Sequence, residues 1–589
     1  MAWRRIDTNK NVYPCAALAL LSLLAYGDSL LNGFVMDDQY ILLRNFTVRH
    51  LGSLPLLVSP RYFELFAEQS WRPVVSLSYI LDYQIWRLAP MGYHFHNLVL
   101  HAVNAILVYL ILKKITGQGL PAFITAGLFA AHTISGEAVN VVSFREDLQV
   151  VFFMLLALWA LLKIYDGGKK AWIALLWACA FLAIPAKENG AALPLLLAGA
   201  GYAIGGRRFF VERRGIWLGV VAAFAASLSI RFFILTPPSN LAAVPASLTI
   251  LEKILMIIKI QGYYLLSLFY IVPFLPNMTV TNGLAVSLVV IGNLLLWVIF
   301  LRDKRAKAAL LFYAVAMMPV ANIVPLANPI AFRYLYFPAL GLYYLSGLTI
   351  HKLFERGYLA QRALIGFLFL ILFGSTLYSA VWSRIWRDDL SLAIYAARYN
   401  PQDSRTWANL ASAQNNRGLY AAAEESARRA LRLNPDDFYS RSALAMSHLK
   451  RGKFEEALDY YRSALRFPSV LNSRAEIYFG MAYAMASLNR AGEAIEMYQR
   501  TLEINPCHTG ALSNLAVIYC EQGNLKKAEP LFTQVLNLDP HDAQTHFNMA
   551  LLLFQTERSE KAIPHLRRAL QLDPQNARAA QMLRHIEQK

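Results

Sequence analysis

The sequence predicts an all-α fold in two parts laid end to end, a multi-pass membrane helical bundle followed by an α-solenoid, and three observations predict it. Of 589 residues, 57% are apolar or aromatic and only 16% are charged, with a mean hydropathy of +0.37, which excludes a purely soluble enzyme. Charge is unevenly divided: residues 1–387 hold 32 Lys and Arg against 16 Asp and Glu, and residues 388–589 hold 24 against 22. From residue 403 the sequence repeats with a period of about 34 residues. The net charge of +18 therefore sits almost wholly in the apolar part, so no nucleic-acid partner is expected. Cys15 and Cys179 lie in apolar runs, and Cys507 and Cys520 are too far apart along one helix to bridge, so no disulfide framework is expected.

A helix crossing the ~30 Å hydrocarbon layer needs ~20 apolar residues, because its backbone polar groups must be satisfied internally. Eleven stretches qualify: 12–31, 96–115, 120–136, 148–165, 171–187, 190–206, 215–235, 283–301, 308–325, 334–351 and 363–382. The first is read as an uncleaved anchor, since no clean small-residue cleavage site follows it. Basic clusters at Arg4/Arg5/Lys10, Lys113/Lys114, Lys163/Lys169/Lys170, Arg207/Arg208/Arg213/Arg214, Arg302/Lys304/Arg305/Lys307 and Lys352/Arg356/Arg362 fall after every second stretch. Such clusters favour the cytoplasm. They place the N-terminus inside and everything after residue 383 outside, provided 251–271, with Lys253 and Lys259, is interfacial or re-entrant rather than a twelfth span.

The opposite loops mix acids, arginines and histidines: Asp37-Asp38, Arg72, His94 and His96, Glu137, Arg145-Glu146-Asp147, Lys187-Glu188 and Arg333. Many end an apolar run, where a charge is costly unless it is paired or faces a polar cavity. Charges from several loops over one face of a helical frame mark a candidate site. Asp37 and Asp38 are its sharpest feature. A carboxylate there can accept the proton of an attacking hydroxyl while guanidinium groups hold a departing phosphate, which is the layout of a transferase. Arg145 and Asp147 either pair at a helix start or join the site, and Glu137 either caps a helix or meets substrate. His94, His96 and His101 lack further metal ligands and are read as packing residues; whether a divalent metal is used stays unknown.

Five repeats span 403–575. Asn400-Pro401, Asn434-Pro435, Asn505-Pro506, Asp539-Pro540 and Asp573-Pro574 mark their ends, with Pro468 as the degenerate mark. Alanine recurs at both helix-crossing positions: Ala411, Ala445, Ala482, Ala516 and Ala550, then Ala423, Ala457, Ala494, Ala528 and Ala562. Gly418, Gly452 and Gly523 end first helices where φ > 0 is needed, with Asn489 and Glu557 in their place elsewhere. The pattern is a tetratricopeptide solenoid, closed by a polar capping helix over 576–588. Asn409, Asn514 and Asn548 recur on first helices, either as ordinary repeat chemistry or as a grip on an extended acceptor peptide in the concave groove.

Several stretches together resemble the transmembrane and tetratricopeptide repeat-containing O-mannosyltransferases of the GT-C superfamily: Gly33-Phe-Val-Met-Asp-Asp-Gln-Tyr, Trp71-Arg-Pro-Val-Val-Ser-Leu-Ser-Tyr, Gly92-Tyr-His-Phe-His-Asn, Ala131-His-Thr-Ile-Ser-Gly-Glu-Ala-Val-Asn-Val-Val-Ser-Phe-Arg-Glu-Asp-Leu, Ala186-Lys-Glu-Asn-Gly and Phe332-Arg-Tyr-Leu-Tyr-Phe-Pro. The resemblance implies a GT-C membrane domain over 1–387, an extracytoplasmic solenoid over 388–589, a polyprenyl-phosphate-linked sugar as donor, and hydroxyls of an extracytoplasmic protein as acceptor. By position it implies Asp37 as base and Asp38 as a group that orients substrate or binds a metal, if one is used. Arg72, Arg145 and Arg333 become candidates for the lipid phosphate, with Lys187 beside them and Glu137, Asp147, Glu188, His94 and His96 in support. Five repeats and the absence of an acid before Arg333 depart from the family pattern. The short array suggests a prokaryotic relative in a bacterial inner membrane facing the periplasm; a eukaryotic one would sit in the ER membrane. A glycan or lipid acceptor and a non-catalytic membrane scaffold are the competing readings.

Overall fold

The computed structural model describes residues 11–43, 45–60, 62–65, 71–234, 249–268, 284–323, 326, 328, 330–355, 358–467 and 471–588, and every regular element among them is helical. Arg4, Arg5, Lys10, Arg356 and Pro468 lie outside the described residues. The chain divides into two compact units, Met1–Leu392 and Ala393–Lys589.

The first unit contains α1 (Val12–Tyr26), α2 (Pro73–Trp86), α3 (Pro90–Thr116), α4 (Gly119–Ala131), α5 (Gly136–Asn140), α6 (Arg145–Tyr165), α7 (Lys170–Ala186), α8 (Leu193–Glu212), α9 (Arg214–Ser229), α10 (Ile250–Ser267), α11 (Leu284–Leu301), α12 (Lys304–Met317), α13 (Ala339–Phe354) and α14 (Tyr358–Ser383). Local chemistry sets the ends. α3 opens on Pro90, whose missing N–H is no loss in a first turn, and closes on Gly117 at φ +71° with Lys113 and Lys114 beside the negative helix end. Among the described residues, five helical stretches are long and apolar enough to cross a membrane: Val12–Leu31, Pro90–Thr116, Val142–Tyr165, Arg214–Phe232 and Gln361–Arg387. Residues 119–140 form a pair bent by 50°, and Lys170–Ala186 and Ser287–Ile299 are shorter apolar helices. The bend has a local cause: His132 leaves the helical region (ψ 134°) and its ring accepts from the Ile134 amide, capping the next turn. The stretch 251–271 carries α10, which starts with a Thr249–Glu252 capping box and packs on α11.

The second unit stacks five helix pairs: α15 (Ser404–Asn416) with α16 (Tyr420–Leu433), α17 (Phe438–Lys450) with α18 (Phe454–Ala464), α19 (Leu471–Ser487) with α20 (Ala491–Ile504), α21 (Thr509–Glu521) with α22 (Leu525–Leu538), and α23 (Ala543–Gln555) with α24 (Ser559–Leu572); α25 (Ala577–Glu587) ends the stack. All ten crossing alanines have no exposed surface, so the partner helix leaves no room for a larger side chain. First helices begin on Asp403, Asp437, His508 and Asp542, whose side chains accept from first-turn amides.

The turns inside the repeats repeat the same backbone geometry: Gly418, Gly452 and Gly523 at φ +74° to +76°, and Asn489 and Glu557 at φ +59°. Asparagine tolerates that conformation and glutamate does not. Glu557→Gly is therefore expected to stabilise the chain, by up to about 1 kcal/mol after the entropy of glycine is set against the relieved strain. A higher thermal midpoint in detergent supports this, and an unchanged or lower one contradicts it.

A charged cluster around Asp37

The loop after α1 turns sharply at Met36, which adopts φ +52°, and its amide donates to Asp389 Oδ1 at 2.8 Å. The two acids that follow have opposite environments. Asp38 has no exposed surface. Its carboxylate accepts from the amides of Val35 (3.1 Å), Val142 (3.3 Å) and Ser143 (2.6 Å), tying this loop to the turn before α6. Burial pushes its carboxyl up to about 7 against the pull of those donors. Asp37 is exposed and its carboxylate has no hydrogen-bond or ion-pair partner among the described residues. Desolvation raises its carboxyl above the ordinary range; Arg333 and Arg72 lower it, and Glu146 and Glu137 raise it. The side chain thus stands within electrostatic reach of two guanidinium groups without being bound to either.

Beside it runs an alternating chain of eight charges. Arg231 pairs with Glu188 (3.1 Å), Glu188 with Arg72 (3.3 Å) and Arg72 with Glu146. Lys187 bridges Glu146 (2.9 Å) and Asp147 (2.6 Å). Arg333 lies 3.8 Å from Asp147 and bonds Glu137 at 2.5 Å, while its own amide also donates to Glu137. Four cations meet four carboxylates, so the chain is neutral as a whole. The buried Lys187 ammonium is thus held between two carboxylates, whose charges offset the cost of its burial. The guanidinium of Arg333 lies 3.9 Å over the Phe144 ring.

The structure thus brings Arg72, Glu137, Asp147, Lys187, Glu188 and Arg333 together near Asp37. Arg145 is a correction. It is fully buried and faces away, bonding Asp82 (2.6 Å), Asn97 (2.7 Å), Ser78 (3.0 Å) and the Tyr93 carbonyl (3.0 Å). It neither pairs with Asp147 nor offers a donor to a phosphate, because residues two apart on a helix project to different sides. His94 is buried against the Gly33 carbonyl (3.2 Å), and His96 meets Asp82 (2.9 Å), so the two histidines face different partners. Among the described residues no group of three or more His, Cys, Asp or Glu side chains could hold a metal ion. In the second unit Asn409 is exposed, Asn514 donates to the Tyr498 hydroxyl (3.1 Å) and Asn548 accepts from Gln544 (2.9 Å), so the three amides do not share one environment.

Arg231 and Asp82 were missed in the sequence, and Glu146 was named there without a role of its own. Arg231 carries the same signal as the others, a lone charge ending an apolar run. Glu146 is the carboxylate that Arg72 and Lys187 share. Asp82, on α2, gives no signal of its own.

Residues 90–230 match the family model described as Dolichyl-phosphate-mannose-protein mannosyltransferase, and residues 404–437, 442–506 and 509–575 match tetratricopeptide repeat models. Protein O-mannosyl-transferase Tmtc1 of Drosophila melanogaster is 30% identical over 155 residues, 26% of this chain and 18% of the relative. Human Protein O-mannosyl-transferase TMTC1 is 33% identical over 165 residues, 26% and 19%. The match therefore spans less than a fifth of the length of these curated relatives. Among solved structures, that of YrrB, titled a TPR protein with an unusual peptide-binding site, aligns at 20% identity with a TM-score of 0.28, over 33% of this chain and 98% of that one. The chain thus joins a mannosyltransferase-type segment to tetratricopeptide repeats and is homologous to the TMTC O-mannosyltransferases at about 30% identity.

Proposed function

We propose that the protein is an integral-membrane glycosyltransferase that moves mannose or another hexose from a polyprenyl-phosphate carrier to a hydroxyl of an extracytoplasmic acceptor, a protein Ser or Thr. The observation that carries this reading is Asp37, an exposed carboxylate without a partner among the described residues, close to Arg72 and Arg333. As the acceptor oxygen bonds to C1 of the sugar, its proton passes to Asp37. The bond from C1 to the phosphate oxygen breaks, and the charge gained by the leaving polyprenyl phosphate falls beside Arg72 and Arg333. Asp38 holds the base in place through three backbone amides. The tetratricopeptide unit presents the acceptor.

Purified full-length protein offered radiolabelled polyprenyl-phosphate sugars and hydroxyl-bearing peptides should yield glycosylated peptide. No transfer from any donor removes the enzyme reading and leaves a scaffold. Transfer to a glycan or lipid in preference to peptide moves the acceptor to that class.

Both aspartates titrate above the usual carboxylate range, Asp38 at about 7. A base acts as its carboxylate, and a raised pKa means the proton is taken up at higher pH. Protonation of Asp38, which holds the base in place, should therefore make activity fall as pH drops through about 7, and protonation of Asp37 should deepen the loss at lower pH. A kcat profile that stays flat down to pH of about 5 contradicts this role.

A further inference from the structure

We infer that Asp389, shortly past α14, is a positioning residue that aims the base Asp37; this rests on the transferase reading above. The carboxylate of Asp37 is exposed and has no partner among the described residues, so nothing at its tip aims it and its direction must come from the backbone. Two other carboxylates grip that backbone at consecutive amides. The Val35 amide donates to Asp38 Oδ2 at 3.1 Å, and the Met36 amide donates to Asp389 Oδ1 at 2.8 Å. The second oxygen of Asp389 accepts from Gln39 Nε2 at 3.4 Å, and the same amide group donates to the Phe34 carbonyl at 3.2 Å. Asp389 therefore holds the loop on both sides of Asp37, at residue 36 before it and residue 39 after it.

The grip is needed because Met36 adopts φ +52°, a conformation unfavourable to a residue with a Cβ. Released from Asp389, Met36 would relax to negative φ and turn the peptide plane that carries Asp37. The holder is itself fixed. The Gly33 amide donates to the Arg387 carbonyl at 2.9 Å, Asn32 donates to the Ser383 carbonyl at 3.3 Å, and Arg384 pairs with Asp28 at 2.9 Å. Asp388 accepts from the Ser391 amide at 2.8 Å, and Asp389 opens the helix Asp389–Tyr399, whose positive end welcomes a carboxylate. A base works only within hydrogen-bond reach of the hydroxyl it deprotonates, and a misplacement of about 1 Å costs about a hundredfold in rate.

Full-length protein is assayed with a mannosyl prenyl phosphate and a hydroxyl-bearing peptide. Asp389→Ala is expected to lower kcat about a hundredfold with the donor KM within about twofold of wild type. Asp389→Asn keeps an oxygen for the Met36 amide and should hold kcat within about threefold of wild type. Glycine takes a positive φ without a Cβ penalty, so adding Met36→Gly to Asp389→Ala should return kcat by about tenfold. The Met36 side chain packs on the core, so the thermal midpoint of that double variant should fall further; a merely structural role would not let activity recover while stability drops. Wild-type kcat in Asp389→Ala, an asparagine variant as poor as the alanine one, or no recovery in the double variant overturns the inference. Hydrogen exchange over 34–39 reads the loop apart from turnover and should quicken at least about tenfold in Asp389→Ala. If the wild-type protein transfers to nothing, quickened exchange keeps Asp389 as the anchor of the loop and removes the transferase reading, and unchanged exchange removes both. Transfer that Asp389→Ala leaves intact removes the positioning role alone.

Discussion

Asp37→Asn is expected to lower kcat by about a thousandfold, the scale of losing a positioned general base, with stability changed by less than about 0.5 kcal/mol. The small structural effect follows from its setting: the side chain is exposed and has no partner among the described residues. Asparagine keeps the shape and removes only the ability to take the proton. Asp38→Asn should behave differently. Both oxygens of Asp38 accept backbone amides, and an amide nitrogen in place of one would face a donor with a donor, so loss of activity there should come with a lowered melting midpoint. Steady-state transfer assays paired with thermal melts separate the two. Equal transfer by Asp37→Asn and wild type would remove the base.

Lys187→Met is the second large effect, and it appears first in stability. The ammonium is buried between Glu146 and Asp147, at 2.9 and 2.6 Å. Removing one partner of such a group leaves uncompensated charge in a poor solvent for it, at a cost of about 3–5 kcal/mol. Asp147 would keep Arg333 only at 3.8 Å, and Glu146 would keep Arg72. A fall in melting midpoint of several degrees in detergent is expected, together with lost activity. A variant as stable as wild type would show that water or rearranged side chains replace the ammonium.

How much of this was legible in the sequence follows from the kind of signal each residue leaves. The crossing alanines could be placed because a period of about 34 repeats the same steric demand, and all ten are buried. Arg72, Lys187 and Arg333 stood out because an ionisable group at the end of an apolar run needs a reason. Linear spacing said nothing of partners. Arg145 is two residues from Asp147 and pairs with Asp82, on another helix. The donors to Asp38 are amides at 35, 142 and 143, which no side-chain pattern records. The segments around 190–206, 308–325 and 334–351 were read as spans on hydropathy alone; their helices are Leu193–Glu212, Lys304–Met317 and Ala339–Phe354, and the five described helices that are long and apolar enough to cross a membrane lie elsewhere.

The neutrality of the eight-membered charge chain has a consequence for how any anion arrives. With each guanidinium and the ammonium already matched, a phosphate that wins one of them strands a carboxylate, and the least costly remedy for a stranded acid in a secluded spot is to collect a hydrogen ion from the medium. Occupancy and acidity should then be linked. Calorimetric titration with a prenyl phosphate in two buffers of different ionisation enthalpy should give two different heats, and identical heats would mean that the anion settles without disturbing the row.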